Sequence, residues 1–117
     1  METIDQPLLV LDEELRVVSA NQAFYRIFRL MPRKVEHQII CNLGNGMFNV
    51  PRLRELLEQI LPHNTPFEEF VIDQDFPPLG RKVLVLKASR LQQEATKPAR
   101  ILLAIEDITE RQVGQER

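Results

Sequence analysis

Apolar positions along the chain gather into runs whose period changes twice. Leu8–Leu11 is a short continuous apolar run between Pro7 and Asp12-Glu13-Glu14, which predicts a strand followed by a turn. Residues 15–20 follow at hairpin distance and predict a second strand antiparallel to the first. The period then becomes helical. Behind Asn21, whose side-chain oxygen suits a helix N-cap, Phe24, Ile27, Phe28 and Met31 recur at spacings of three and four. Pro32 is expected to end that helix. Residues 33–40 predict a helical turn or two, and Leu43-Gly44-Asn45-Gly46 predicts a loop. Pro51 suits the first position of another helix, with Leu53, Leu56, Leu57, Ile60 and Leu61 as its apolar stripe and Pro62 as its stop. The remainder predicts strands over 67–73, 81–91 and 99–106. Phe76-Pro77-Pro78-Leu79-Gly80 turns the chain between the first two, and a polar hairpin loop over 92–98 joins the last two.

Two strands, a block of helices and three strands make an α+β protein, most economically one five-stranded antiparallel sheet with the helices packed on one face. Alternation supports a single helix-covered face. Leu84, Leu86 and Ala88 point one way, while Val83, Val85, Lys87 and Ser89 point the other. In the last strand Ile101, Leu103 and Ile105 alternate with Leu102, Ala104 and Glu106, so both of its faces are largely apolar. A sheet covered on one side only carries more polar residues on the other. A second covering surface is therefore expected, and a homodimer supplies it most simply.

The 117 residues suffice for one domain with one hydrophobic core. Fifteen basic and 17 acidic side chains leave a net charge of −2, which gives no electrostatic case for nucleic acid. Arg26, Arg29, Arg33 and Lys34 cluster, but read as a solvated helix face. No apolar stretch has the length of a membrane span, and residues 1–5 lack the features of a signal peptide. Cys41 is the only cysteine, so no internal disulfide can form, and a cytoplasmic location is expected.

Candidate chemistry is sparse. His37 and His63 have no Cys or His at metal-ligand spacing, so no metal site is expected. Gly44-Asn45-Gly46 lacks the lysine, third glycine and preceding parallel strand of a phosphate-binding loop. Glu13-Glu14 and Glu68-Glu69 do not converge as a catalytic pair, and Ser19 and Ser89 have no evident base. An enzyme is not expected. Phe24, Phe28, Leu43, Leu56, Ile60, Leu86 and Leu103 could line a pocket between helices and sheet, although a filled core is the favoured reading of the same residues.

The order of elements resembles the PAS fold from about Pro7 to Arg111. Residues 12–24, where a strand meets an asparagine-capped helix with an inward Phe24, are similar to the opening of PAS domains. Asp107-Ile108-Thr109 resembles the Asp-Ile-Thr motif that closes them, and residues 43–57 resemble a subgroup found upstream of histidine kinase modules in bacteria. Arg29 and His37 stand near places where the family often has glycine. The resemblance implies a lead-in over 1–6, a PAS domain over 7–109 and the start of a signalling linker over 110–117. It implies a sensory and dimerisation domain of a bacterial signalling protein, a sensor histidine kinase, in which Asp107 and Thr109 transmit the state of the core to a downstream kinase or other effector. Haem is not expected, because the helix that would carry the ligand, 51–61, has no histidine. Flavin is not expected either, because residues 39–44 do not match the Asn-Cys-Arg-Phe-Leu-Gln signature of flavin-binding relatives. A small metabolite remains the ligand class such a core accommodates. The competing readings are a ligand-free dimerisation scaffold and, ranked below it, a small α+β pocket enzyme.

Overall fold

Leu8–Leu11 (β1) and Val17–Ala20 (β2) form the expected hairpin, but β2 begins two residues later than the apolar run suggested. The cause is Asp12, whose Oδ1 accepts from the amides of Glu14 at 2.9 Å and Arg16 at 3.0 Å and so folds the intervening residues into a loop. Leu15 sits in that loop with a left-handed backbone (φ 65°) and a buried side chain. Residues 37–40 run along the outer edge of β2, bonded by His37 N–H to Val17 O (2.8 Å) and Val17 N–H to Gln38 O (2.9 Å). These coordinates are a computed structural model that describes residues 6–44, 46–77, 79–91 and 97–111. Expectations placed on residues 1–5, Asn45, Pro78, 92–96 and 112–117 lie outside the described residues.

Helix α1 spans Gln22–Phe28 and stops short of Pro32. Arg29 takes the left-handed conformation (φ 54°), and the Leu30 amide closes back on Tyr25 O at 3.2 Å, a Schellman-type end. Met31, expected on the inward stripe, is consequently 55% exposed. Pro32 begins the next helix, α2 (Pro32–Val35), at a position where its missing N–H costs nothing. A 3₁₀ turn follows at Ile40–Asn42.

Pro51 opens α3 (Pro51–Glu58) as expected. Pro62 is not a stop: the helical path breaks at Gln59 and restarts as α4 (Ile60–His63), so Pro62 falls in a first turn that needs no amide from it. His63 is the last residue of that helix.

Phe67–Phe76 (β3), Gly80–Leu91 (β4) and Arg100–Asp107 (β5) complete one antiparallel sheet of order β2-β1-β5-β4-β3. Gly80 (φ +88°) pairs with Phe76 at the tight turn between β3 and β4. The α+β architecture is the one expected, and the core lies between the helices and one sheet face. Leu9 and Leu11, Leu84 and Leu86, and Ile101, Leu103 and Ile105 face it from β1, β4 and β5, all buried. From the helical side Phe24 and Phe28 meet with ring centroids 5.0 Å apart, and Phe48 closes the cluster at 6.5 Å and 5.6 Å.

Candidate functional site

The regular pairing of β4 with β5 ends at Leu84 opposite Asp107, yet the exit strand does not come loose there. Ile108 N–H donates to Val83 O at 2.9 Å, extending the ladder by one bond. The next backbone donor, Val83 N–H, has no carbonyl to meet and donates to Thr109 Oγ1 at 2.9 Å instead. That hydroxyl in turn donates to Asp107 Oδ1, which also accepts from the Thr109 amide at 3.0 Å. The second carboxylate oxygen, Oδ2, pairs with Lys82 Nζ at 3.0 Å. One carboxylate and one hydroxyl therefore bind the end of β5 to the start of β4, and the chain turns helical at 109–111.

Two opposing effects set the charge of Asp107. Burial pushes its carboxyl up, but hydrogen bonds from the Thr109 hydroxyl and amide and the Lys82 ammonium outweigh it, so the group is held below the usual carboxylate range. The nearby Arg111–Glu106 pair, 2.7 Å long, is different in kind: both side chains are more than half exposed, and such pairs contribute little.

Asn21 does more than cap α1. Its Oδ1 accepts from Phe24 N–H and from Leu8 N–H, each at 3.0 Å, and its Nδ2 donates to Gln6 O at 2.8 Å. The lead-in so fastened lies beside the exit: Ile105 N–H donates to Pro7 O at 3.0 Å. Between them, with Pro7 and Ile27 on one side and residues 105–111 on the other, runs a groove of about 630 Å³.

The structure brings Asp107 and Thr109, the two residues singled out for signal transmission, into one bonded cluster. Of the pocket candidates, Phe24, Phe28, Leu43, Ile60, Leu86 and Leu103 are all buried in the core cluster. Leu56 is not among them: it is half-buried on α3, at the margin of the inward row that Leu53, Leu57 and Ile60 form at spacings of four and three. None of the seven lines the junction groove or the smaller hollows of about 170 and 190 Å³. Sequence reasoning missed Lys82 and Phe48. Lys82 was legible in principle, since antiparallel pairing of the last two strands sets it near Asp107. Phe48 lies in an aperiodic segment that offered no such signal. Cys41 is half-buried, and burial raises its thiol above the ordinary value, which disfavours a reactive thiolate. Among the described residues no three His, Cys, Asp or Glu side chains could share a metal ion, and no helix is long and apolar enough to cross a membrane.

Comparison with known proteins gives a consistent answer. Residues 1–113 match a family model described as the PAS fold. A search of the curated proteins finds no match. Among solved structures, VqmA of Vibrio cholerae, described as a LuxR-type receptor, aligns with a TM-score of 0.75 at 10% identity. The alignment covers 91% of this chain and 47% of that one, so this chain spans about half of VqmA. A sensory box sensor histidine kinase of V. cholerae aligns at 0.66 and 14% identity, covering 89% of this chain and 82% of its own. The PAS domain of nitrogen regulation protein NR(II) from V. parahaemolyticus aligns at 0.66 and 16% identity, covering 91% and 92%.

Proposed function

The chain belongs to the PAS family, and on that premise we propose that it is a sensory and dimerisation domain of a bacterial signal-transduction protein, a sensor histidine kinase, whose output leaves through Asp107 and Thr109. The observation that carries this reading is the exit itself. Thr109 Oγ1 stands in for a backbone acceptor of β4 while Asp107 bridges Thr109 to Lys82. A displacement of β4 against β5 must break or re-aim these bonds, and the helical start at 109–111 moves with them. In this reading the domain binds a small metabolite or a partner rather than a haem or flavin, performs no catalysis, and works in the cytoplasm as a homodimer on a kinase or other effector. Likeness to the sensory box sensor histidine kinase of V. cholerae supports that choice of effector.

The test is a chimera in which residues 6–111 replace the sensory domain of a bacterial histidine kinase, joined in helical register after Arg111. Asp107→Ala and Thr109→Val should each change autophosphorylation several-fold while circular dichroism still reports a folded domain. Rates equal to the unsubstituted chimera would overturn the relay.

A second reading is favoured by a separate observation, the apolar outer face of the sheet. Leu8 pairs with Ala104, Val10 with Leu102 and Val71 with Val85 on the side away from the helices. A ligand-free dimerisation scaffold would use that face alone, and its chimera would ignore Asp107 and Thr109.

A further inference from the structure

Asn21 spends its whole amide on three different parts of the chain. As a helix cap it needs only the bond from Phe24 N–H. The bonds to Leu8 N–H and Gln6 O serve no capping purpose, and they span 13 and 15 residues of sequence. They fasten the lead-in at the point where it meets β5, for Pro7 O accepts from Ile105 N–H at 3.0 Å, two residues before Asp107. Leu8 O accepts from Asn21 N–H at 3.1 Å, so residues 6–8 are held from β2 on one side and from β5 on the other.

We infer that Asn21 is a positioning residue that clamps the lead-in against the exit strand, so that a displacement at Gln6 reaches Asp107 along the backbone bond between Pro7 and Ile105. The clamp gives the domain a second input, mechanical and at its N-terminal side, feeding the same output as a core ligand. It rests on the relay reading above. The groove between Pro7 and residues 105–111 leaves the two segments room to shift against one another. All three Asn21 bonds are made by a single side chain, so loosening one end of the clamp is felt at the other.

The chemistry separates clamp from cap. Asn21→Asp keeps the oxygen that accepts from Phe24 and Leu8 but loses the donor to Gln6 O, placing a carboxylate against a carbonyl. Asn21→Ser keeps a capping hydroxyl and is too short to reach Gln6. Amide hydrogen exchange, followed residue by residue in the chain itself, should speed at least tenfold at Ile105 and Ile108 in both variants, with Phe24 unchanged. Exchange at Ile105 that matches the wild type, or that rises only in step with every core amide, would overturn the clamp. Exchange is read in the chain alone and the relay in kinase output, so either can fail without the other.

Discussion

Arg29 and His37 hold φ of 54° and 69°, where an L side chain crowds its own carbonyl. Both are exposed, so neither strain is offset by burial. Glycine at either position removes on the order of 1 kcal/mol of strain and gives part of it back as freedom in the unfolded chain, for a net gain of about 0.5 kcal/mol. Leu15 is the control. Its φ of 65° is equally strained, but its side chain is buried, so Leu15→Gly should lose roughly 1.5–3 kcal/mol of burial. Urea midpoints that rise for Arg29→Gly and His37→Gly and fall for Leu15→Gly would bear this out; a fall in all three would refute it. Asp107 makes a pH-dependent prediction at the same scale. Its carboxyl is held below the ordinary value in the folded chain, so folding favours the ionised form. That contribution is fully present above the ordinary carboxylate pKa of about 4 and is lost as pH falls through the depressed folded value. Asp107→Asn cannot titrate. It should be less stable than wild type at pH 6, and the difference should shrink as pH falls through 4 toward 3 in urea titrations; a constant difference would sink the argument.

Between elements, the decisive contacts are those that no strand or helix makes by itself. Thr109→Val removes the acceptor of Val83 N–H and leaves that amide unpaired at a buried residue near the start of β4, which should cost about 1–3 kcal/mol, whereas Thr109→Ser keeps both bonds and should lie close to wild type. Thermal melts of the pair test whether the hydroxyl or the methyl holds the exit. Phe48→Ala should cost about 3–5 kcal/mol, since it removes one ring of the cluster that ties residues 46–48 to α1. Most elements were legible from period alone. β1, β3, β4 and β5 stand where alternation and turn residues put them, give or take three residues, and Asn21 and Pro51 mark their helix starts correctly. The misplaced boundaries share a cause: side-chain or backbone bonds that hydrophobic pattern does not encode. Asp12 turns residues 15–16 out of β2, and a left-handed Arg29 ends α1 before the proline that seemed to. Pro32 and Pro62 end no helix, because both sit in first turns where the missing amide is harmless. At the site, Asp107 and Thr109 were readable because their spacing within one short motif survives in sequence. Asn21's hold on Gln6 depends on how the lead-in is seated beside α1, which no periodicity encodes.

At the scale of the molecule, the sheet's outer face carries the remaining question of what it meets. The register sets Val10 beside Leu102, Leu8 beside Ala104 and Val71 beside Val85, an apolar strip that passes from β5 to β4 only on the diagonal between Ala104 and Val85. Leu8, Val10, Val85 and Leu102 are half-buried, and Val71 is 55% exposed. Polar neighbours rim the strip on the same face: Lys87 opposite Ala104, Ser89 opposite Leu102 and Glu106 opposite Val85. An apolar centre with a polar rim is the anatomy of an interface, and a standard one buries about 800 Å² on each partner. A second copy is the simplest occupant, because two such strips face to face bury like against like about a two-fold axis. Leu102 lies on the strip between Val10 and the rim residue Ser89 and contributes nothing to the helix-covered core. Leu102→Asp should therefore weaken self-association at least tenfold in sedimentation equilibrium, by placing two carboxylates near the axis, while the melting temperature of the dilute monomer stays within a few degrees of wild type. Lys87→Ala, at the rim, should change association little but alter its dependence on salt. If the wild-type chain sediments as a monomer at every accessible concentration, or if Leu102→Asp associates as well as the parent, dimerisation does not run through this face.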